Sequence, residues 1–473
     1  MTKTLRVAAI LLAVLSMIAA SCSSSDDASD TTTDTAATTD EGTDEGTDEE
    51  PEETMEEGTD EEPEETGSEP APAGDGGLDI KVGAILPLTG GIAGPGADAR
   101  DSLELFFNTF GDGESITTPG GNTISLVIED NASDPAIALT AATKLLEVDD
   151  VDIVLPGILA STGTAVGDAL GDRDDVLLLS PSSCNDDFTQ RAPLDGYARP
   201  AGWACSQTTH AFGQWAFEEA GYTAVATACT DYSFGWEHCG GFADAFTNAG
   251  GTIVDQIWHP LGNADFATYS TQMNDLSDAE AVMVLAVGGS VNPMVTSYAD
   301  FGLKDSKPML AGVTTMDQSA LRAMDKSVAL GTIGHSHWAE GHDDPNTIEF
   351  VTAYEDATDK IASYYAAGYY GAMQWIVAAA DAMDSEFTPA AMLTTMKDGL
   401  EVDTAFGTQT MNEDGSMTMT VFITEVQERE DGKLWNVPIF QYDDVDQYFQ
   451  FDKDEYLAQP TYTKDFQGAG VSG

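Results

Sequence analysis

From Leu78 onward, short apolar runs alternate with segments whose apolar residues recur every three or four positions. The run from Ile80 to Pro87 reads as a strand that stops at a proline and a glycine-rich turn. The spacing of Ala99, Leu103, Phe106, Phe107 and Phe110 then predicts a helix. Strands at 124–128, 151–155 and 176–179, with helices at 135–146 and 162–170, complete a first series. A second series starts near Gln207. It has a helix to Ala220, a strand from Ala224 to Cys229, a helix from Phe234 to Ala249, strands at 253–257 and 281–287, a helix at 292–301 and a strand at 309–313. Continuously apolar strands, as opposed to alternating ones, are what a parallel sheet covered by helices on both faces requires. The pattern predicts an α/β protein of two doubly wound parallel-sheet modules, each the size of one domain. After Phe406 it turns to alternation, as in Met417 to Phe422, with a turn at Glu430-Asp431-Gly432 that predicts hairpin strands.

Residues 361–380 carry no charge and have the length of a membrane span. Tyr364, Tyr365, Tyr369, Tyr370 and Gln374 make that run a poor span, so it reads as a helix buried beneath a sheet.

The first 22 residues follow a different pattern. Lys3 and Arg6 precede an apolar run from Val7 to Ala20, which closes on Ala19-Ala20-Ser21-Cys22. This is a signal peptide in layout, and small residues before a cysteine are what a lipoprotein signal peptidase accepts, with the Cys22 thiol receiving the lipid. Ala19 stands where a bulky aliphatic residue is usual, and a secreted protein with an incidental Cys22 is the alternative. Residues 23–78 form a linker of Ser, Thr, Asp, Glu, Gly and Pro, and the decamer at 45–54 recurs at 57–66. Such a composition predicts an extended tether with a reach on the order of 180 Å.

Charge narrows the function. The chain holds 82 acidic and 18 basic residues, a net charge of −64. With 22 acidic and no basic residues between Asp26 and Asp75, about −44 remains on the part that folds. Such a field repels phosphate backbones and speaks against nucleic-acid binding. Of the exported cysteines, Cys184, Cys205, Cys229 and Cys239 permit three pairings. Proximity favours Cys184–Cys205 and Cys229–Cys239, and the spacing matches no zinc site.

No nucleophile elbow, phosphate-binding loop, zinc-protease motif or dinucleotide fingerprint is present, so no catalysis and no cofactor are expected. The remaining chemical candidate is His335-Ser336-His337 with His342 nearby, and a crossing segment with Trp338 facing a cleft is the preferred reading over a metal site. Ligands of doubly wound sheets gather at the carboxyl ends of strands. Here those ends are Leu88-Thr89-Gly90-Gly91, Gly157 to Thr162, and Ser180-Pro181-Ser182-Ser183. Loops of small hydroxyl residues opening into helices can hold a carboxylate, although each could equally be a helix cap.

The chain resembles the type I periplasmic binding proteins, specifically the branched-chain amino-acid and amide receptors of ABC importers. The likeness rests on Lys81 to Gly90, Glu129-Asp130 with Asp134-Pro135, Gly157 to Thr162, Ser180 to Ser183, Phe234-Gly235 and Phe301-Gly302-Leu303. It implies a Venus-flytrap of two lobes with a three-crossing hinge, an N-lobe of 79–203 and 338–412, and a C-lobe of 204–337 and 413–473. It further implies a monomeric, lipid-anchored extracytoplasmic protein that hands a small organic solute to permease subunits. A ligand-sensing surface receptor of the same fold is the alternative. Position by position, Ser161 matches the serine that takes the ligand carboxylate, with Thr162 beside it. Ser182 and Ser183 match a contact loop, and Phe234 a C-lobe wall. Cys184 sits where a threonine or serine is common. The acidic residue that receives an ammonium aligns with Thr314, and Gly289-Ser290 replaces an aromatic, which speaks against an α-amino acid unless Asp317 reaches the site.

Overall fold

The computed structural model describes residues 77–383, 386–468 and 471. The signal segment 1–22 with Cys22, and nearly all of the linker, lie outside the described residues. The strand predicted from Ile80 is β1 (Asp79–Leu86), at the centre of a six-stranded sheet with β2 (Ser115–Thr117), β3 (Thr123–Asp130), β4 (Ile153–Leu155), β5 (Leu177–Leu179) and β6 (Tyr197–Ala198). Its order is β2-β3-β1-β4-β5-β6. Only the β2–β3 pairing is antiparallel. The second sheet has seven strands: β7 (Ala224–Thr230), β8 (Thr252–His259), β9 (Ala281–Leu285), β10 (Met309–Ala311) and β11 (Ile333–Ser336), followed by β14 (Met419–Glu428) and β15 (Leu434–Val445). A two-stranded ribbon of β12 (Val402–Thr404) and β13 (Gly407–Gln409) intervenes. The order β15-β14-β11-β10-β9-β7-β8 places the parallel strands together and the predicted hairpin at one edge, antiparallel to β11.

The reason for the parallel core is visible in burial. Every residue of β4, β5 and β9 is buried, so both faces are covered, as uninterrupted apolar strands demand. Helix Ala93–Phe110 turns Ala99, Leu103, Phe106 and Phe107 inward and leaves Phe110 at its end about half exposed. The uncharged run at 361–380 forms helix Tyr364–Ala382, which packs along Ala93–Phe110; Phe106 meets Tyr370 edge-on with ring centroids 5.1 Å apart. Among the described residues no helix is long and apolar enough to cross a membrane. Ser363 caps its start by accepting from the Ala366 amide at 3.2 Å.

Both expected disulfides are formed, Cys184–Cys205 and Cys229–Cys239. The first ties the loop after β5 to the chain entering helix Gln207–Glu218, while the second ties β7 to the helix Ser233–Ala249 that follows it.

Candidate functional site

The carboxyl ends of the two sheets face one another across a pocket of about 300 Å³. From the first sheet come Ile92, the Ile158-Leu159-Ala160 turn after β4, and Ser182 and Cys184 after β5. From the second come Tyr232 and Phe234 after β7, Val287 after β9 and Thr314 after β10. Trp203, Tyr364 and Tyr365, from segments that run between the sheets, complete the wall. Aromatic rings dominate: Trp203 meets Phe234 edge-on at 5.9 Å and Tyr364 at 6.3 Å, and Tyr232 meets Phe234 at 6.0 Å.

Direct contacts hold the two sides together around this space. The Gly289 amide donates to the Gly91 carbonyl at 3.0 Å. Arg322, between β10 and β11, places Nη2 at 2.7 and 2.5 Å from the two oxygens of Asp98 in helix Ala93–Phe110. Asp98 is buried, and Tyr354 also donates to it at 3.4 Å.

The polar side of the pocket is sparse. Helix Ala160–Leu170 begins in its wall with Leu159 at the N-cap, and no side chain caps it. The amides of its first turn carry partial positive charge and lack an intrahelical acceptor, and Leu159 and Ala160 at this terminus line the pocket. Among the described residues no lysine or arginine lines the pocket. Of the expected residues, Ser182, Phe234 and Thr314 line it. The Ser182 hydroxyl makes no hydrogen bond among the described residues, whereas Thr314 donates to the Ala286 carbonyl at 2.6 Å. Ser161 is half-buried in the second position of the uncapped helix, next to the lining residue Ala160. Thr162 and Ser183 sit behind the wall: Thr162 donates to the Leu159 carbonyl at 2.8 Å and Ser183 to Asn185 Oδ1 at 2.7 Å. The hydroxyl-rich loop after β1 is occupied locally, because the Leu88 and Thr89 amides and the Thr89 hydroxyl all donate to Asp130.

Asp317 and Trp338 line a separate chamber of about 310 Å³ together with Glu340, His335 and Asn436, and Tyr364 is its common wall with the first pocket. Asp317 accepts from the Ser319 amide at 2.8 Å and the Tyr364 amide at 3.2 Å, and burial pushes its pKa up to about 6. Burial likewise raises Glu340 to about 7. The histidines singled out earlier do not converge. His335 stacks on Phe212 at 4.3 Å, His337 on Trp203 at 5.0 Å, and His342 tilts over Phe422 at 4.6 Å. Burial drives His337 down to about 3, so it is neutral at physiological pH. Among the described residues the one grouping of metal-ligating types is Asp186, Cys205 and Glu237, and its sulfur is in a disulfide.

Sequence reasoning missed Trp203, Tyr232, Tyr364 and Tyr365. The two tyrosines belonged to the uncharged run and were visible as a pair, but nothing local distinguishes a ring that packs from one that faces a cleft.

Residues 79–433 match the periplasmic binding protein family. The chain is 25% identical over 365 residues to Leu/Ile/Val-binding protein homolog 6 of Brucella abortus, which spans 76% of this chain and 90% of the relative. The fold is similar to the solute-binding protein of an ABC transporter from Rhodopseudomonas palustris in complex with 3,4-dihydroxybenzoic acid, with a TM-score of 0.71, 25% identity, and coverage of 78% of this chain and 98% of the other. An ABC transporter substrate-binding protein from Sphaerobacter thermophilus gives a TM-score of 0.70 and 25% identity, covering 78% and 99%. With its two parallel-dominant sheets enclosing a pocket between their carboxyl ends, the chain belongs to the type I periplasmic binding protein family, whose members bind solutes and are not enzymes.

Proposed function

We propose that this protein is an extracytoplasmic receptor, lipid-anchored through Cys22, that closes on an apolar or aromatic carboxylate and presents it to an ABC permease. The observation that carries the reading is the aromatic wall of Trp203, Tyr232, Phe234, Tyr364 and Tyr365 facing an uncapped helix N-terminus. Rings of this kind sandwich a flat apolar body, and helix-terminal amides with the hydroxyls of Ser161 and Ser182 take a carboxylate without a cationic side chain. Thr314 in place of an acid leaves the pocket itself without a carboxylate for an ammonium group, which favours an aromatic acid over a branched-chain amino acid. The 3,4-dihydroxybenzoate bound by the R. palustris relative supports the same choice.

The lobes in this reading are 79–203 with 338–412 and 204–337 with 413–473. The first sheet draws all its strands from the first span, and the second sheet from the second. A solute touching both lobes stabilises the closed form by its differential affinity for it, and the permease reads that form. A thermal-shift screen of aromatic acids, branched-chain amino acids, amides and urea tests the reading, because a ligand of the folded state raises the melting temperature. The largest shift is expected from an aromatic carboxylate. A shift confined to branched-chain amino acids would overturn the ligand assignment.

A further inference from the structure

Behind the pocket two carboxyls from opposite sheets meet. Asp186 lies in the loop after β5, and Glu237 is one turn along from the pocket residue Phe234 in helix Ser233–Ala249. The Asp186 amide donates to Glu237 Oε1 at 3.4 Å, and oxygens of the two carboxyls lie within 4.8 Å of each other. Both side chains are buried, at 0% and 5% exposure, and among the described residues Asp186 Oδ2 and Glu237 Oε2 have no hydrogen-bond partner. The nearest cation does not pair with either. Arg199 is wholly buried, and its donors go to the carbonyls of Ser183, Trp203 and Asn185 and to the Thr189 hydroxyl. Asp186 has one strong partner, the Ser206 amide at 3.0 Å.

Two carboxylates this close, dry and without a direct counter-ion are not both ionised, since like charges and desolvation act in the same direction. We propose that closing the cleft takes up one proton, held between the Asp186 and Glu237 carboxyls, so that acidification favours the closed, solute-holding state. The proposal rests on the two-lobe reading above and concerns the regulation of that same site. The other charged and titratable groups around the pair are Arg191 and Asp187 on the same loop, Tyr197 on β6, Arg199 directly after β6, Tyr232 ahead of the helix, and Tyr456 of helix Lys453–Leu457. The arginines oppose protonation and Asp187 favours it; the tyrosines stay neutral because burial raises them. The balance raises both carboxyls, Asp186 to about 6 and Glu237 well above the ordinary glutamate value, with burial the largest cause in each.

The sign follows. The proposal requires that opening lets water reach the pair, so that both groups then ionise near the usual carboxylate pKa. A raised pKa in the closed form means that closure binds a proton between that range and the raised values, so affinity strengthens as pH falls through this window, by up to about tenfold per pH unit. A cation between the carboxylates is the competing account, and the positive charge of the nearby Arg199 weighs against it.

Two measurements on the full chain test this. Infrared spectra at neutral pH should show the carbonyl stretch of a protonated carboxyl, lost or shifted in Glu237→Gln and Asp186→Asn. Single-molecule energy transfer between dyes on the two lobes, from pH 5 to 8.5, should show the closed population growing with acid in the wild type and pH-independent in Glu237→Gln. Absence of the band, an unchanged pH response in both variants, or a melting temperature that rises with calcium or magnesium and falls with chelator would overturn the proposal. If the lobes close with a solute found in the thermal-shift screen but ignore pH, only the proton coupling falls; if neither solute nor pH moves them, the two-lobe reading falls with it.

Discussion

Removing the Arg322 guanidinium should open the cleft more than it unfolds the protein. In this structure Arg322 Nη2 bridges both oxygens of Asp98, which is 1% exposed, and Nη1 donates to the Ile361 carbonyl at 3.0 Å. Breaking a buried pair by deleting one partner costs about 3–5 kcal/mol, because the other charge is left unpaired. Here the Arg322 side chain is 23% exposed, Tyr354 still donates to Asp98, and the Lys360 ammonium stands 4.0 Å away. These reduce the cost of Arg322→Ala to about 2–3 kcal/mol. Since Asp98 and Arg322 belong to different sheets, opening the cleft hydrates Asp98 and relieves most of that penalty. The loss therefore falls on closure. Calorimetric titration of the solute that most raises the melting temperature should show an affinity about 30- to 140-fold weaker. The melting temperature of the ligand-free protein should fall only slightly. Pairing the change with Asp98→Asn should recover part of the affinity, because no unpaired charge remains. Unchanged affinity with a strongly lowered melting temperature would refute the reasoning and make the pair a strut that persists when the cleft opens.

Other consequences are open to direct test. Cys22→Ala should release the protein into the soluble fraction with ligand affinity unchanged, and retention on membranes after a carbonate wash would refute the anchor. The net charge of about −44 on the folded part should make the melting temperature rise by a few degrees between low and molar salt, as repulsion is screened; a flat response would remove self-repulsion from the account. Ser161→Ala and Ser182→Ala should each weaken binding about tenfold or more, the loss of a hydrogen bond to a charged group, while altering the melting temperature little. Intact affinity in both would place the carboxylate elsewhere.

The parallel strands were legible because continuous burial leaves a continuous apolar run, as in β4, β5 and β9. Elements with one thin buried face were not. Helix Ala267–Asp275 buries only Ser270 and Met273, and helix Pro345–Thr358 only Thr347, Phe350 and Tyr354, too little for the helical period to stand out. The second nonetheless carried a start signal in Asp344-Pro345, with Asp344 accepting from the Asn346 and Thr347 amides. β11 was not among the predicted strands, and of the histidines singled out there only His335 lies within it. Local spacing placed Ser182 at a strand end, and the family resemblance added Phe234 and Thr314; all three line the pocket. Local spacing also suggested Thr162 and Ser183, whose hydroxyls turn back onto their own loops. The aromatic wall comes from positions as distant as Trp203 and Tyr365, and their meeting depends on how the segments between the sheets cross. No short-range pattern encodes that.

The most direct test of the central claim is calorimetric titration of 3,4-dihydroxybenzoate and its benzoate analogues into the wild type and into Trp203→Ala. The account predicts one site per chain for at least one of these acids, a negative heat-capacity change from burial of the ring, and binding lost or weakened at least tenfold in the variant. Binding of isoleucine or leucine in preference to every aromatic acid, or equal affinity in the wild type and Trp203→Ala, would contradict it.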